Sequence, residues 1–146
     1  MNRFVPVVVA VIQNDHHEYL LTQRYSPQWP EVHLKWQLAG GKVEFGETTE
    51  QTVIRECQEE ISQDIKIILP CPSVRTHIWH HTAGVPEHTL LIGYLCQLVK
   101  NNKEIKLNQE THSYKWFTFD EIKDLDRLPY SLEMIEELQT LQNSIT

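Results

Sequence analysis

Residues 40–63 read Gly40-Gly41-Lys42-Val43-Glu44-Phe45-Gly46-Glu47-Thr48-Thr49-Glu50-Gln51-Thr52-Val53-Ile54-Arg55-Glu56-Cys57-Gln58-Glu59-Glu60-Ile61-Ser62-Gln63. Thr48 with Gln51 three residues on fits a capping box, and no Gly or Pro follows before Ile61, so the pattern predicts a helix from Thr48 to about Ile61. With Glu56 as origin and about 100° per residue, Glu59 falls near -60° and Glu60 near +40°, whereas Val53, Cys57, Ile61 and Ile54 span about +60° to +160°. Three carboxylates therefore share one face and the core-facing residues share another. Like charges at these spacings repel, and burying them uncompensated costs more. Arg55 supplies one positive charge. Three oxygen ligands on a rigid face also suit a hard divalent cation such as Mg²⁺, which prefers carboxylates, water and substrate phosphate to an all-protein cage. Taken alone, the helix reads more readily as an ordinary solvated face, because charge runs on helices usually face solvent.

Outward from this segment the chain reads as mixed α/β. Val5 to Ile12 looks like a strand buried on both faces. A polar turn at Asn14 to His17 returns it into Tyr19 to Arg24 as a hairpin. Residues 25–35, with Pro27 and Pro30, read as a loop, and a short strand at Trp36 to Leu38 is stopped by Gly40-Gly41. Beyond the helix, strands are expected at Ile65 to Leu69, Val74 to Thr82, His88 to Val99 and Tyr114 to Thr118, with a turn at Ala83-Gly84-Val85-Pro86. Asp120 to Leu125 reads as a helical turn. Ser131 to Gln142 reads as an amphipathic helix, with Leu132, Ile135, Leu138 and Leu141 at helical spacing.

The 146 residues fit one domain, taken as 1–146, and 40% hydrophobic residues are enough for a core. A net charge of -7 has the wrong sign for gripping bulk nucleic acid. The longest apolar stretch, Val5 to Ile12, contains a proline and is about half a membrane span, so no export signal or anchor is read. Cys57, Cys71 and Cys96 are too scattered for a disulfide framework or a metal knuckle, which points to a reduced, cytoplasmic setting.

From Gly41 the segment has the form G-x5-E-x7-R-E-C-x-E-E-x-S-Q, which resembles the Nudix box, G-x5-E-x7-R-E-U-x-E-E-x-G-U with U aliphatic. Gly41, Glu47, Arg55, Glu56, Glu59 and Glu60 are in register, a strong signal for a motif of this length. Cys57 replaces an aliphatic residue, which is harmless in a core. Ser62 and Gln63 replace the final glycine and aliphatic residue, so a different helix exit is expected, a longer last turn through Gln63. Ala39 stands where many members carry proline.

The opening strands through Arg24, the entry Trp36 to Thr48 and the segment Glu110 to Phe117 are closest to the MutT-like nucleoside triphosphate pyrophosphohydrolases. The resemblance implies an α/β/α sandwich around a mixed β-sheet and a need for Mg²⁺ or Mn²⁺. It implies Glu56, Glu59 and Glu60 as metal ligands with the backbone carbonyl of Gly41, and Glu110, six residues before Trp116, as a further ligand or a plain loop carboxylate. Glu56 is the candidate catalytic base, with Arg55 and Glu47 completing the catalytic group by holding the carboxylates in place. Arg24, Leu38 and Lys42 are candidate substrate-binding residues, and Arg24 is equally readable as a strand-end salt bridge.

Trp79, Tyr94 and Trp116 are left as core aromatics. His77, His80, His81 and His88 lack a partner set for zinc and better suit hydrogen bonding to substrate. The implied reaction is hydrolysis of a nucleoside or deoxynucleoside triphosphate, oxidised or modified forms included, to monophosphate and pyrophosphate. The alternatives are an ADP-ribose or nucleotide-sugar hydrolase and a non-catalytic ligand-binding module. A small-molecule nucleotide is the implied partner. A homodimer stays open, because many members dimerise, although no interface signal is read. Between Gly41 and Asp64, seven acidic residues face two basic ones, so a metal-binding patch accounts for most of the chain's acidity.

Overall fold

The computed structural model describes residues 3–80, 84–101 and 103–145. In chain order the elements are β1 (Arg3–Ile12), β2 (Glu18–Arg24), β3 (Trp36–Gln37), β4 (Ala39–Lys42), α1 (Thr49–Ile61), β5 (Ile65–Ile67), β6 (Ser73–Trp79), β7 (Glu87–Leu98), β8 (Thr111–Thr118), α2 (Phe119–Ile122) and α3 (Ser131–Ile145). The last residues of the strand expected over Val74–Thr82, and the first of the turn expected at Ala83, lie outside the described residues.

β1 is parallel to β7 and antiparallel to β4, and β7 also pairs antiparallel with β5 and β6, which makes a five-stranded mixed sheet. Both faces of β1 are covered. Val9 and Val11 pack with Met134, Ile135 and Leu138 of α3, while Val8, Ala10 and Ile12 pack with Val53, Cys57 and Ile61 of α1. The period-two alternation of side chains thus converts an unbroken apolar run into the middle layer of an α/β/α sandwich.

The expected hairpin between β1 and β2 is not formed. The two strands part into different sheets, linked by one bridge at Gln13 and Tyr19, and β2 lies between β3 and β8 in a three-stranded antiparallel sheet. The turn is as polar as expected, since the Asn14 side-chain oxygen accepts the N–H groups of His16 and Glu18, each at 2.9 Å. The apolar residues of β2 split the pair: Tyr19 and Leu21 serve the α3 side, and Leu20 serves the α1 side. A strand needed in both cores cannot stay flat against β1.

Gly40 and Gly41 do not stop a strand. They lie within β4, opposite Val9 and Val8 of β1. At Gly40 a Cβ would run into the Val8 backbone. Their lack of side chains permits this close edge.

Candidate active site

α1 begins with the capping box foreseen from its sequence: Thr48 accepts from the Gln51 N–H at 3.1 Å, and the Gln51 side chain accepts from the Thr48 N–H at 2.9 Å. Its exit corrects the sequence reading. Ser62 adopts the left-handed conformation usual for glycine (φ 57°, ψ 39°), so the helix ends there and does not extend through Gln63. Two side-chain bonds hold this exit, from Ser62 Oγ to the Lys106 carbonyl at 3.1 Å and from Gln63 Nε2 to the Lys103 carbonyl at 3.0 Å. Val53, Cys57 and Ile61 are fully buried, whereas Ile54, at the margin of that arc, is exposed.

The three helix carboxylates have three different environments. Glu60 is only 6% exposed, because its position on the wheel adjoins Val53 more closely than Glu59. Its Oε1 accepts from the Thr22 hydroxyl at 3.0 Å and its Oε2 from the Gly40 N–H at 3.2 Å. Burial pushes its carboxyl up to about 7, against the opposing pull of those two bonds. Glu56 is half-buried over Gly41, so that a Cβ on Gly41 would overlap its carboxyl group. Burial raises its pKa, Arg55 pulls it back, and the charges of Glu59 and Glu110 add to the rise. Glu59 is largely exposed, and Arg55 Nη1 donates to its Oε2 at 3.1 Å.

Arg55 is the hub. It grips Glu47 with both arms, Nε to Oε2 at 2.7 Å and Nη2 to Oε1 at 3.0 Å, and it also donates to Glu56 Oε1 at 3.0 Å and to the Lys42 carbonyl at 3.1 Å. These bonds hold the Glu47 carboxyl down at about 2, with help from the Glu44 N–H, and drive the Arg55 pKa upward. The Thr52 hydroxyl, at 3.0 Å, completes the seat of Glu47.

A cavity of about 970 Å³ opens beside this assembly. It brings together Gly41, Glu56, Glu60, Glu110, Arg24, Leu38 and Lys42 on its walls. Arg55, Glu47 and Glu59 are not on those walls. Arg55 reaches Glu56 from outside those walls and links it to Glu47. Arg24 donates to Ser26 Oγ at 3.0 Å, and Glu110 precedes β8 with its carbonyl taking the Tyr25 N–H at 2.8 Å. Of the unassigned aromatics, Trp79 lines the cavity, Trp116 packs against the α1-side core, and Tyr94 is buried with its hydroxyl 2.7 Å from both Thr49 Oγ1 and Glu50 Oε1. His77 packs edge-on against Trp79, and His81 lies outside the described residues. Thr22 and Gly40, which fix Glu60, were not singled out from sequence. The signal was available in part: Thr22 is the polar residue that ends the buried run Tyr19-Leu20-Leu21, on the parity that faces α1.

Among the described residues, no three His, Cys, Asp or Glu side chains form a ready-made metal cage. The donor set nevertheless fits a hard cation that keeps water and substrate phosphate in its shell. Two half- to fully buried carboxylates face a glycine edge without a side chain in between, and burial raises the pKa of both.

A model of the NUDIX domain matches residues 3–138. The chain belongs to the NUDIX domain family. The Nucleoside triphosphatase NudI of Escherichia coli and of Shigella flexneri are each 30% identical over 135 residues, 88% of this chain and 88% of theirs. The solved NUDIX hydrolase from Nitrosomonas europaea is similar over 94% of this chain and 90% of its own, with 24% identity and a TM-score of 0.71. The MutT protein from Methanosarcina mazei Go1 is similar over 97% and 96%, with 24% identity and a TM-score of 0.68. These two share the fold described above. As a Nudix hydrolase, the chain carries its acidic helix at the edge of the mixed sheet, over β4. No helix among the described residues is long and apolar enough to cross a membrane.

Proposed function

We propose that this Nudix hydrolase is a Mg²⁺-dependent pyrophosphohydrolase, with Mn²⁺ as a substitute. It converts a nucleoside or deoxynucleoside triphosphate, oxidised or modified forms included, to nucleoside monophosphate and pyrophosphate. The observation that carries this reading is the cavity in which Glu56 and Glu60 flank the bare edge of Gly41 at one end, with room for a whole nucleotide beyond. The NudI relatives, which bear the name nucleoside triphosphatase, favour a triphosphate over other nucleotide substrates.

Glu56, Glu59, Glu60, Glu110 and the Gly41 carbonyl would hold the cation. When bound, it supplies charge neutralisation on the phosphate oxygens and acidifies water. Glu56 orients the attacking water and takes its proton at a carboxylate oxygen, a role suited by a pKa raised through burial. Arg55 and Glu47 are positioning residues that fix the Glu56 carboxylate. Arg24 and Lys42 bring positive charge to the phosphate chain, and Leu38 gives the nucleoside an apolar wall. We take the chain as a single domain over residues 1–146, acting in the cytoplasm on small nucleotides. Its three cysteines, none in a disulfide, suit that setting.

Product analysis on a nucleotide panel with Mg²⁺ tests the proposal. Release of pyrophosphate and monophosphate from triphosphates is the expected result. Turnover confined to ADP-ribose or nucleotide sugars, with monophosphates as the only products, would replace it.

A further inference from the structure

Away from the carboxylates, the cavity wall is the face of β1 and β7 that carries Val7, Val9 and Leu91, closed by Met134 of α3 and by Trp79. In this apolar surface lies Thr89 of β7, 4% exposed. Its Oγ1 is the one buried side-chain polar atom among the described residues that lacks a hydrogen-bond partner. On the same face, its strand neighbours in register are Val5 and His77, and the His77 ring is engaged edge-on with Trp79 at 4.5 Å and Tyr130 at 5.9 Å. Valine has the same shape and a comparable strand preference without a hydroxyl to desolvate. A buried hydroxyl left unpaired therefore weakens the free protein and gives the fold nothing in return.

We propose that Thr89 is a specificity-determining residue whose Oγ1 hydrogen-bonds the polar edge of the substrate's planar base. The inference rests on the nucleotide-hydrolase reading of the same cavity. Phosphates drawn to Glu56, Glu60 and Gly41 leave the base to extend along the Val7, Val9 and Leu91 wall, where Trp79 and Met134 give a flat ring apolar contact. A hydroxyl both donates and accepts, so it can satisfy a ring carbonyl or nitrogen and equally an exocyclic amine. A pocket that carries an unpaired buried polar group favours a ligand that pairs it and disfavours one that leaves it unpaired.

The test compares the wild-type chain with Thr89→Val and Thr89→Ser. Pyrophosphate release is measured with Mg²⁺ from the common ribo- and deoxyribonucleoside triphosphates, beside thermal melting without nucleotide. For the preferred nucleotide, Thr89→Val should raise KM about tenfold with kcat within about twofold, and it should melt no lower than wild type. Thr89→Ser, which keeps the hydroxyl, should hold KM within about threefold of wild type. Unchanged KM for every nucleotide in Thr89→Val overturns the inference, and so does a Thr89→Val chain that melts well below wild type, because the hydroxyl then serves the fold. If the wild-type chain turns over no nucleotide, the nucleotide reading itself fails and this inference falls with it. Wild-type turnover thus separates the two failures.

Discussion

The Thr22 hydroxyl donates to Glu60 Oε1 at 3.0 Å, joining residues 38 apart in sequence and tying the three-stranded sheet to the acidic helix. With the Gly40 N–H on the other oxygen, Glu60 is gripped from β2 and from β4 at once. Thr22→Val keeps the shape and removes the donor, so it should lower unfolding free energy by about 1–3 kcal/mol, whereas Thr22→Ser should lose less. Urea denaturation of the two variants checks this. Equal stability of Thr22→Val and wild type would deny the bond any weight.

Glu60 also sets a pH dependence for the metal-free protein. Its folded pKa of about 7 lies above the ordinary carboxyl value of 4.5, so the neutral form is the one the fold favours. Its contribution is fully present below pH 4.5 and is lost as pH rises through about 7, amounting to roughly 3 kcal/mol at most. Glu47, held down at about 2, acts in the opposite direction and only below its ordinary pKa, where its ion pair is lost as pH falls. Melting curves between pH 5 and 8, at about half-unit steps, should therefore decline for wild type and flatten for Glu60→Gln. An identical slope in both proteins would place the titration elsewhere.

Arg55 makes four side-chain bonds to carboxylates and one to a backbone carbonyl, a fork geometry that an ammonium group cannot copy. Arg55→Lys should weaken the apparent Mg²⁺ requirement constant by about 10–100-fold while preserving the fold. Activity titrated against Mg²⁺, with circular dichroism as control, provides the measurement.

The two adjacent glycines should separate stability from catalysis. A Cβ at Gly40 meets the Val8 backbone, which cannot yield, so Gly40→Ala should be strongly destabilising, by about 3 kcal/mol or more. The atoms nearest a Cβ at Gly41 belong to the Glu56 carboxyl, the far end of a side chain that can swing away. Gly41→Ala should therefore stay folded and lose at least about tenfold in kcat. Tm and kcat measured on both variants decide this, and a reversed pattern would break the assignment of Glu56.

Local signals were legible wherever one residue type had one physical use. The Thr48 and Gln51 cap, the buried alternation of Val8 to Ile12 and a positive charge at Arg55 beside the helix carboxylates follow from spacing, whereas the grip of Arg55 on Glu47 is what the family resemblance implies. What escaped was decided by tertiary packing. Asn14 to His17 turns as a hairpin would, yet Leu20 and Leu21 serve opposite cores, so β1 and β2 part. Gly40 and Gly41 look like breakers until β1 is beside them. Ser62 takes the glycine conformation because carbonyls from residues 103 and 106, distant in sequence, receive its hydroxyl and the Gln63 amide. The helical wheel groups Glu60 with Glu56 and Glu59, but its shoulder position next to Val53 buries it, and only the fold supplies Thr22.

The most direct test of the proposed chemistry is pyrophosphate release from a nucleoside triphosphate with Mg²⁺ by wild type and by Glu56→Gln, with the Tm of each measured beside it. The expected result is a loss of at least about a hundredfold in kcat for Glu56→Gln, with its melting temperature at or above that of wild type. Full activity in Glu56→Gln would contradict the account.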